Sequence, residues 1–276
     1  MKLLITGSDN YIAASFSEKY AKRHKITALD SNTDISDIKS LIAIFKKKKF
    51  DAILHFAENF GRPDQTDKEI EIVNTIMFKN IQSLAKAYDV KKVLVFSNIR
   101  ELDTANGLIA FKENELIKYM PLDSYGQAKH NITNMAKIDR SVFVLRSFEV
   151  YGKDAPDSVI TSLISRAAQG KNLSVDKDII LSAIYIEDYL KIINDFLMHS
   201  HPAGDYNITA DELISVNDVL KKLKRSCKNE ITIETGKERL EFTASNDKLS
   251  AAIGAFKFTT LRSALNKIFK AYKDDI

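Results

Sequence analysis

The sequence predicts an α/β protein built on a doubly wound parallel sheet, and three observations carry that prediction. Short apolar runs alternate with longer segments whose apolar residues recur at helical spacing. The runs are continuously apolar, as strands are when both faces of a sheet are covered. The first run ends in a turn of small residues around Gly7 that leads directly into a helical segment. In order, the strands are expected at Lys2–Thr6, Lys25–Leu29, Ala52–Phe56, Lys92–Phe96 and Val142–Leu145. The helices are expected at Tyr11–Arg23, Ile38–Lys48, Lys68–Tyr88 and Tyr125–Ala136. Right-handed crossovers turn this alternation into a doubly wound sheet. Past about residue 155 the pattern is mixed. Residues 1–150 are therefore the expected main body. Residues 151–276 are expected to add the remaining strands and a small lobe, packed on the first part as one compact unit.

Composition narrows the class. The 276 residues are 45% hydrophobic and 28% charged, a soluble globular balance. The net charge of +4 is mild. The run Lys46-Lys47-Lys48-Lys49 closes an amphipathic stretch, where lysines favour a helix C-terminus. No aromatic interleaving or zinc-ligand spacing accompanies it, so neither a nucleic-acid partner nor a metal is expected. Cys227 is the single cysteine, which forbids an intrachain disulfide and fits a reducing compartment. The apolar residues 1–6 run straight into a loop, too short for a signal peptide. No stretch approaches the ~20 apolar residues of a membrane span, and a cytoplasmic location is expected.

The turn Thr6-Gly7-Ser8-Asp9-Asn10-Tyr11-Ile12-Ala13 has the form of a strand-to-helix phosphate cradle. Asn10 stands where a second glycine is usual, and asparagine is the next-best residue for a left-handed backbone. Ala13 stands at a third glycine position and only thickens the helix–strand contact. Asp30 follows Gly7 by 23 residues and ends the second strand. A carboxylate there accepts from adenosine ribose hydroxyls and repels a 2′-phosphate, which favours NAD over NADP. In Asp34-Ile35-Ser36-Asp37, Asp34 or Ser36 is expected to cap the helix at Ile38. His55 reads as a packed strand residue. Tyr125 and Lys129 are one helical turn apart on one face. An ordinary tyrosine is a poor acid–base catalyst at neutral pH, and a neighbouring ammonium lowers its pKa.

Taken in order, these segments resemble the extended short-chain dehydrogenase/reductase family. Gly7 lies in its T-G-x-x-G-x-x-G turn, Asp34-Ile35-Ser36-Asp37 in its D-[IL]-x-D segment, and Ile53 through Glu58 in its V-I-H-x-A-A strand end. Tyr125 and Lys129 form its Y-x-x-x-K pair, about 28 residues beyond the strand ending Phe96-Ser97-Asn98. Leu145 through Gly152 is similar to L-R-x-x-N-V-Y-G, Ile184 through Asp188 to V-Y-V-D-D, and Gly204 through Ile208 to G-x-x-Y-N-I. The resemblance implies a Rossmann-type NAD(P)-binding domain over 1–150 and a substrate-binding lobe beyond it. It assigns cofactor contacts to Gly7, Asn10, Tyr11, Ile12, Asp30, Asp34, Ile35, Phe56, Ala57, Ser97 and Lys129. Tyr125 becomes the acid–base residue, and Lys129 its support and a partner of the nicotinamide ribose. Asn98, or Ser97 one residue earlier, stands for the usual Ser or Thr that holds the substrate oxygen; an Asn98 amide there can donate but cannot relay a proton.

The departures bear on substrate. The dehydratases of the family carry T-D-E where this chain has Asn98-Ile99-Arg100, which disfavours dehydration. Glu149 replaces a substrate-contacting Asn, and Leu181 falls where an Arg commonly grips the diphosphate; Arg239 and Arg262 are candidate replacements. The reading is a nucleotide-sugar oxidoreductase, first a 4-ketoreductase in deoxysugar or surface-polysaccharide biosynthesis and second a 4-epimerase. A catalytically impaired NAD-binding regulator or scaffold is the alternative of a different class. The resemblance also implies a homodimer through the helices near Lys68–Tyr88 and Tyr125–Ala136. Ile72, Ile76 and Phe78 would supply a second apolar face on the first of them.

Overall fold

The computed structural model describes residues 1–226 and 233–274, so Cys227 lies outside the described residues. The strands are β1 (Lys2–Thr6), β2 (Lys25–Leu29), β3 (Ala52–His55), β4 (Lys92–Asn98), β5 (Leu108–Phe111), β6 (Val142–Ser147), β7 (Glu149–Tyr151), β8 (Leu173–Tyr185), β9 (Gly204–Ile208), β10 (Leu213–Ser215) and β11 (Ile233–Ala244). The helices are α1 (Tyr11–Tyr20), α2 (Ile38–Lys47), α3 (Asp67–Ala87), α4 (Ser124–Ala136), α5 (Val159–Ala168), α6 (Ile186–Met198), α7 (Val216–Ser226), α8 (Asp247–Ile253) and α9 (Leu261–Asp274). No described helix is long and apolar enough to cross a membrane.

The apolar runs form a six-stranded sheet in the order β2-β1-β3-β4-β6-β9. β1 is parallel to both β2 and β3, with Leu4 opposite Thr27 on one side and Ile53 on the other. The strand order reverses at β1, and ligands of such sheets bind outside the carboxyl ends at that switch point. Leu3, Leu4, Ile5, Ile53, Leu54 and Val144 have no exposure, which explains why their strands carry no polar alternation. Leu41 and Phe45 of α2, Phe78 and Ile81 of α3, and Ile132 of α4 pack with Leu4, Ile53 and Val93 in one core. Phe78 is thus wholly buried, which corrects its place on an outer face; Ile72 and Ile76 of α3 are exposed at 44% and 39%.

Helix starts follow local side-chain chemistry. Asp37, not Asp34 or Ser36, caps α2, accepting from Lys39 N at 3.0 Å and Ser40 N at 3.3 Å. Asp34 instead accepts from the backbone and hydroxyl of Ser36. Thr66 and Glu69 close a reciprocal capping box on α3. Asp123 caps α4 through Gly126 N at 2.9 Å.

The chain divides into two units, each of three segments. The first holds Met1–Thr104, Glu113–Arg146 and Ile193–Tyr206; the second holds Ala105–Lys112, Ser147–Ile192 and Asn207–Ile276. In the second unit a smaller sheet runs β10-β8-β11-β5, with β7 also paired to β8. Ile160 and Ile164 of α5, Val219 of α7 and Leu265 of α9 pack with Leu181 and Ala183 in its core.

A charged group lies at the centre of the first unit. Arg146, with no exposure, contacts the carboxylate of Glu101 and donates to Asp205 Oδ2 at 2.9 Å. Glu101, also fully buried, accepts from Thr133 Oγ1 of α4 at 2.6 Å. Its backbone carbonyl lies 3.2 Å from His130 Nδ1 on the same helix. Breaking a buried ion pair from one side strands the remaining charge. Arg146→Met is therefore expected to lose about 3–5 kcal/mol of stability. Urea denaturation measures it as a lower midpoint at unchanged slope; a midpoint equal to that of the unaltered protein would show that the charge network does not hold the unit.

Candidate active site

Gly7 ends β1 with φ +66°, and a Cβ there would lie 2.6 Å from the backbone nitrogen of Ala57. The turn can exist only because this residue has no side chain, and it brings the ends of β1 and β3 together. Asn10 departs from expectation. Its φ of −59° is ordinary, not left-handed, and its side chain caps α1 by accepting from Ile12 N at 2.9 Å and Ala13 N at 3.5 Å. A capping asparagine needs no left-handed backbone, because its own carbonyl oxygen serves the orphan amides. Ala13 is fully buried in the helix–strand contact.

Around this turn lies a cavity of about 680 Å³. Of the residues assigned to the cofactor, Gly7, Asn10, Asp30, Asp34, Ile35, Phe56 and Ala57 line it; Tyr11, Ile12, Ser97 and Lys129 are not among the lining residues. The adenosine end is ordered by local bonds. Asp30 accepts from the backbone and side chain of Asn32, both at 3.1 Å. Asn80 of α3 donates to the carbonyls of Ile35 and Ser36 at 3.1 and 2.8 Å. Four carboxylates line the cavity, on Asp9, Asp30, Asp34 and Glu58, with Arg62 as the cation among the lining residues. The hydroxyl of Ser31 holds the Asp9 carboxyl below the usual carboxylate range. The close approach at Gly7 and the carboxylate at Asp30 fit a dinucleotide, and Gly7, Asp30, Ile35 and Ala57 would hold it.

Tyr125 and Lys129 sit beside this cavity, joined to its lining residues Glu58 and Phe60. Gly126 lets α4 meet the segment after β4, since a Cβ there would stand 2.3 Å from the carbonyl oxygen of Arg100. That approach sets Asn98 against Tyr125: Asn98 Nδ2 donates to the phenol oxygen at 3.1 Å, while Asn98 Oδ1 accepts from Arg100 N at 3.0 Å. Asn98, and not Ser97, is the strand-end residue at the tyrosine. The Tyr125 ring stacks on Phe60 with centroids 5.1 Å apart, and the Arg100 guanidinium lies 4.5 Å from its centroid. Lys129 donates to the carbonyl of Phe96 at 2.6 Å.

A third group enters that sequence reading did not assign. Glu58, just past β3, accepts from the Tyr125 hydroxyl at 2.7 Å through Oε2 and contacts Lys129 Nζ through Oε1. Its loop is fixed: Asn59 N donates to the side chain of Asn74, which donates back to the Asn59 carbonyl, both at 2.8 Å. The electrostatics change accordingly. Burial raises the Tyr125 pKa most; Lys129 opposes it, Glu58 adds to it, and the phenol is pushed up to about 12. The expected lowering by Lys129 does not prevail, because burial outweighs it and Glu58 adds to the rise. Lys129 is itself held above its ordinary value by Glu58 and Tyr125 despite burial. His55 faces Thr6 Oγ1 at 2.7 Å, and burial, then Lys129, lowers its pKa to about 3, so it is a neutral packed residue.

Glu149, Leu181, Arg239 and Arg262 belong to the second unit. Glu149, in the second unit, accepts from Ser158 Oγ at 2.6 Å and from Ile160 N at 3.4 Å, and so supports the start of α5. Burial holds its carboxyl above the usual range. Leu181 is buried in the apolar core of that unit. Arg239 is exposed and pairs with Glu241 at 3.3 Å, and Arg262 is exposed. Asp195, His199 and His201 bring their ligand atoms within 4.8 Å of one another, where no metal ligands were expected. Both imidazoles contact the Asp195 carboxylate, at 2.6 and 2.8 Å.

Comparison with known proteins accords with this geometry. GDP-6-deoxy-D-talose 4-dehydrogenase of Aggregatibacter actinomycetemcomitans is 21% identical, over 98% of this chain and 97% of its own. Among solved structures, a GDP-L-fucose synthetase from Naegleria fowleri superposes with a TM-score of 0.85 at 14% identity, covering 99% of this chain and 93% of its own. UDP-glucose 4-epimerase from Thermotoga maritima superposes with a TM-score of 0.81 at 18% identity, covering 100% of this chain and 99% of its own. At these identities the superpositions establish the fold, a Rossmann-type parallel sheet. The sequence profile of the NAD dependent epimerase/dehydratase family matches residues 3–209, and the chain belongs to that family.

Proposed function

We propose that the protein is an NAD(H)-dependent oxidoreductase of nucleotide sugars, and within that class a 4-ketoreductase of deoxysugar or surface-polysaccharide biosynthesis. One observation carries this reading: Asn98, Tyr125 and Lys129 converge beside a cavity bounded by Gly7, Asp30 and Ala57. The dinucleotide, when bound, supplies hydride transfer. The chain's own residues supply the proton and its placement. Tyr125 exchanges a proton with the carbonyl or carbinol oxygen, Asn98 orients the phenol, and Lys129 gives electrostatic support. A relative named for 4-dehydrogenase action on a GDP-linked 6-deoxysugar supports position 4 as the reacting centre. The Asp30 carboxylate accepts from Asn32 and has lone pairs left for ribose hydroxyls.

A second reading, an NAD-binding regulator with little turnover, is favoured by the burial of Tyr125 and its bond to Glu58, which leave the phenol with a raised pKa. Hydride-transfer assays with a panel of nucleotide 4-keto-sugars and simple sugars, each with NADH and NADPH, separate the two. Turnover of a 4-keto-sugar supports the first; tight NADH binding without turnover supports the second.

Three outcomes are expected. Tyr125→Phe keeps the ring and its stacking, so NADH affinity stays near the original while turnover falls by ~10²–10⁴; full turnover in this variant removes Tyr125 from the chemistry. NADH binds more tightly than NADPH, and Asp30→Ala narrows that gap in calorimetric titrations; a wild-type preference for NADPH refutes the role of Asp30. The exposed Ile72 and Ile76 of α3 suit a homodimer, which light scattering at micromolar concentration reads as twice the 31.2 kDa chain mass.

A further inference from the structure

Glu58 is set between two groups of the reaction pair with one oxygen for each. Oε2 accepts the phenol proton at 2.7 Å, and Oε1 contacts the ammonium. Asn98 meets the same phenol oxygen from the donor side at 3.1 Å. The hydrogen bonds around Tyr125 therefore have a direction: its oxygen receives a proton donor, and its own hydrogen points to a carboxylate. The loop carrying Glu58 is anchored to α3 through the paired bonds of Asn59 and Asn74, so the carboxylate is held on the phenol. A group poised behind a proton carrier, oriented by a cation and hydrogen-bonded at 2.7 Å, has the arrangement of the third member of a catalytic relay.

We propose that Glu58 is the proton terminus behind Tyr125, so that the working unit is a Glu58–Tyr125 relay with Lys129 holding the carboxylate in place. This rests on the oxidoreductase reading above. When Tyr125 takes a proton from a substrate hydroxyl, the substrate O–H and the original tyrosine O–H break. A new tyrosine O–H and a glutamic acid O–H form, and no charge accumulates on the phenol. Glu58 then returns the proton to solvent. Run backward, the same chain carries a proton from Glu58 through Tyr125 to a carbonyl oxygen. The relay answers a difficulty of the site: burial, with Glu58 beside the phenol, outweighs Lys129 and keeps the phenolate out of reach, so the phenol must hand its proton on as it receives one. The ionic groups around the phenol are Glu58, Lys129 and Arg100, with Glu101 acting in addition on Lys129; His55 is neutral.

The test uses the full chain and the variants Glu58→Gln and Glu58→Asp. The phenolate absorbance of Tyr125 is followed with pH, its share taken as the difference from Tyr125→Phe. Glu58→Gln removes the carboxylate while leaving an acceptor, and the Tyr125 transition is expected to move to lower pH. Glu58→Asp keeps the charge and is expected to keep the transition high; it also retains the partner of buried Lys129, which guards against loss of the fold. In the panel assay Glu58→Gln is expected to lower turnover by ~10² or more at unchanged KM, with partial recovery in Glu58→Asp. A Tyr125 transition that stays in place in Glu58→Gln, or turnover that stays equal or rises, overturns the proposal. If the transition moves but no nucleotide sugar of the panel reacts, the Glu58–Tyr125 coupling stands and the sugar-nucleotide reading falls.

Discussion

The buried guanidinium of Arg146 is the constraint from which the first unit takes its geometry. It cannot be hydrated, so it must be met by carboxylates, and Glu101 and Asp205 converge on it from two other parts of the chain. Glu101 is then held by α4 through Thr133 and His130. The short turn Ile99–Glu101 is thereby pinned between β6 and α4. Asn98 and Arg100 belong to or adjoin that turn, so one ionic contact in the interior fixes the residues that face Tyr125. Gly126 completes the arrangement by leaving room for the Arg100 carbonyl.

Charge is compensated one group at a time in the site. The ammonium of Lys129 is met by Glu58, the guanidinium of Arg100 by Asp123 at 3.1 Å and by the face of Tyr125. An uncompensated buried lysine would strongly favour a phenolate beside it. Here burial and Glu58 together outweigh Lys129, the phenol stays neutral, and the direction of its hydrogen bonds becomes the controlling variable. The same residue pair can therefore stand in a different electrostatic state from the one its spacing suggests, because burial and a carboxylate from a separate loop enter.

The sheet was legible because its signal is local and redundant. β1 and β2 coincide with their apolar runs to the residue, and β4 and β6 extend two residues beyond theirs because the ladder continues through Ser97-Asn98 and Arg146-Ser147. The Tyr125 and Lys129 pair was legible because both lie on one helix face. The cap of α2 was not, since Asp34, Ser36 and Asp37 all offer a suitable oxygen within four residues and only the turn geometry chooses among them. Glu58 could not be assigned from its surroundings: a glutamate just past a strand reads as a solvated turn residue, and its partners are 67 and 71 positions away. The one available signal was its place in a strand ending where small residues are usual. The bond from Ser158 to Glu149 was likewise not legible, as it closes across a turn that spacing alone does not predict.

Asn10 has a thermodynamic consequence. By serving the amides of Ile12 and Ala13, its side chain occupies two donors at the end of α1 that faces the cavity. An anion arriving there gains those amide hydrogen bonds only by releasing the ones Asn10 already makes. Association at this helix end is thus an exchange, with the net enthalpy of a difference between two sets of bonds, and the tightness of any complex has to be found in the adenosine end and in the groups around Tyr125.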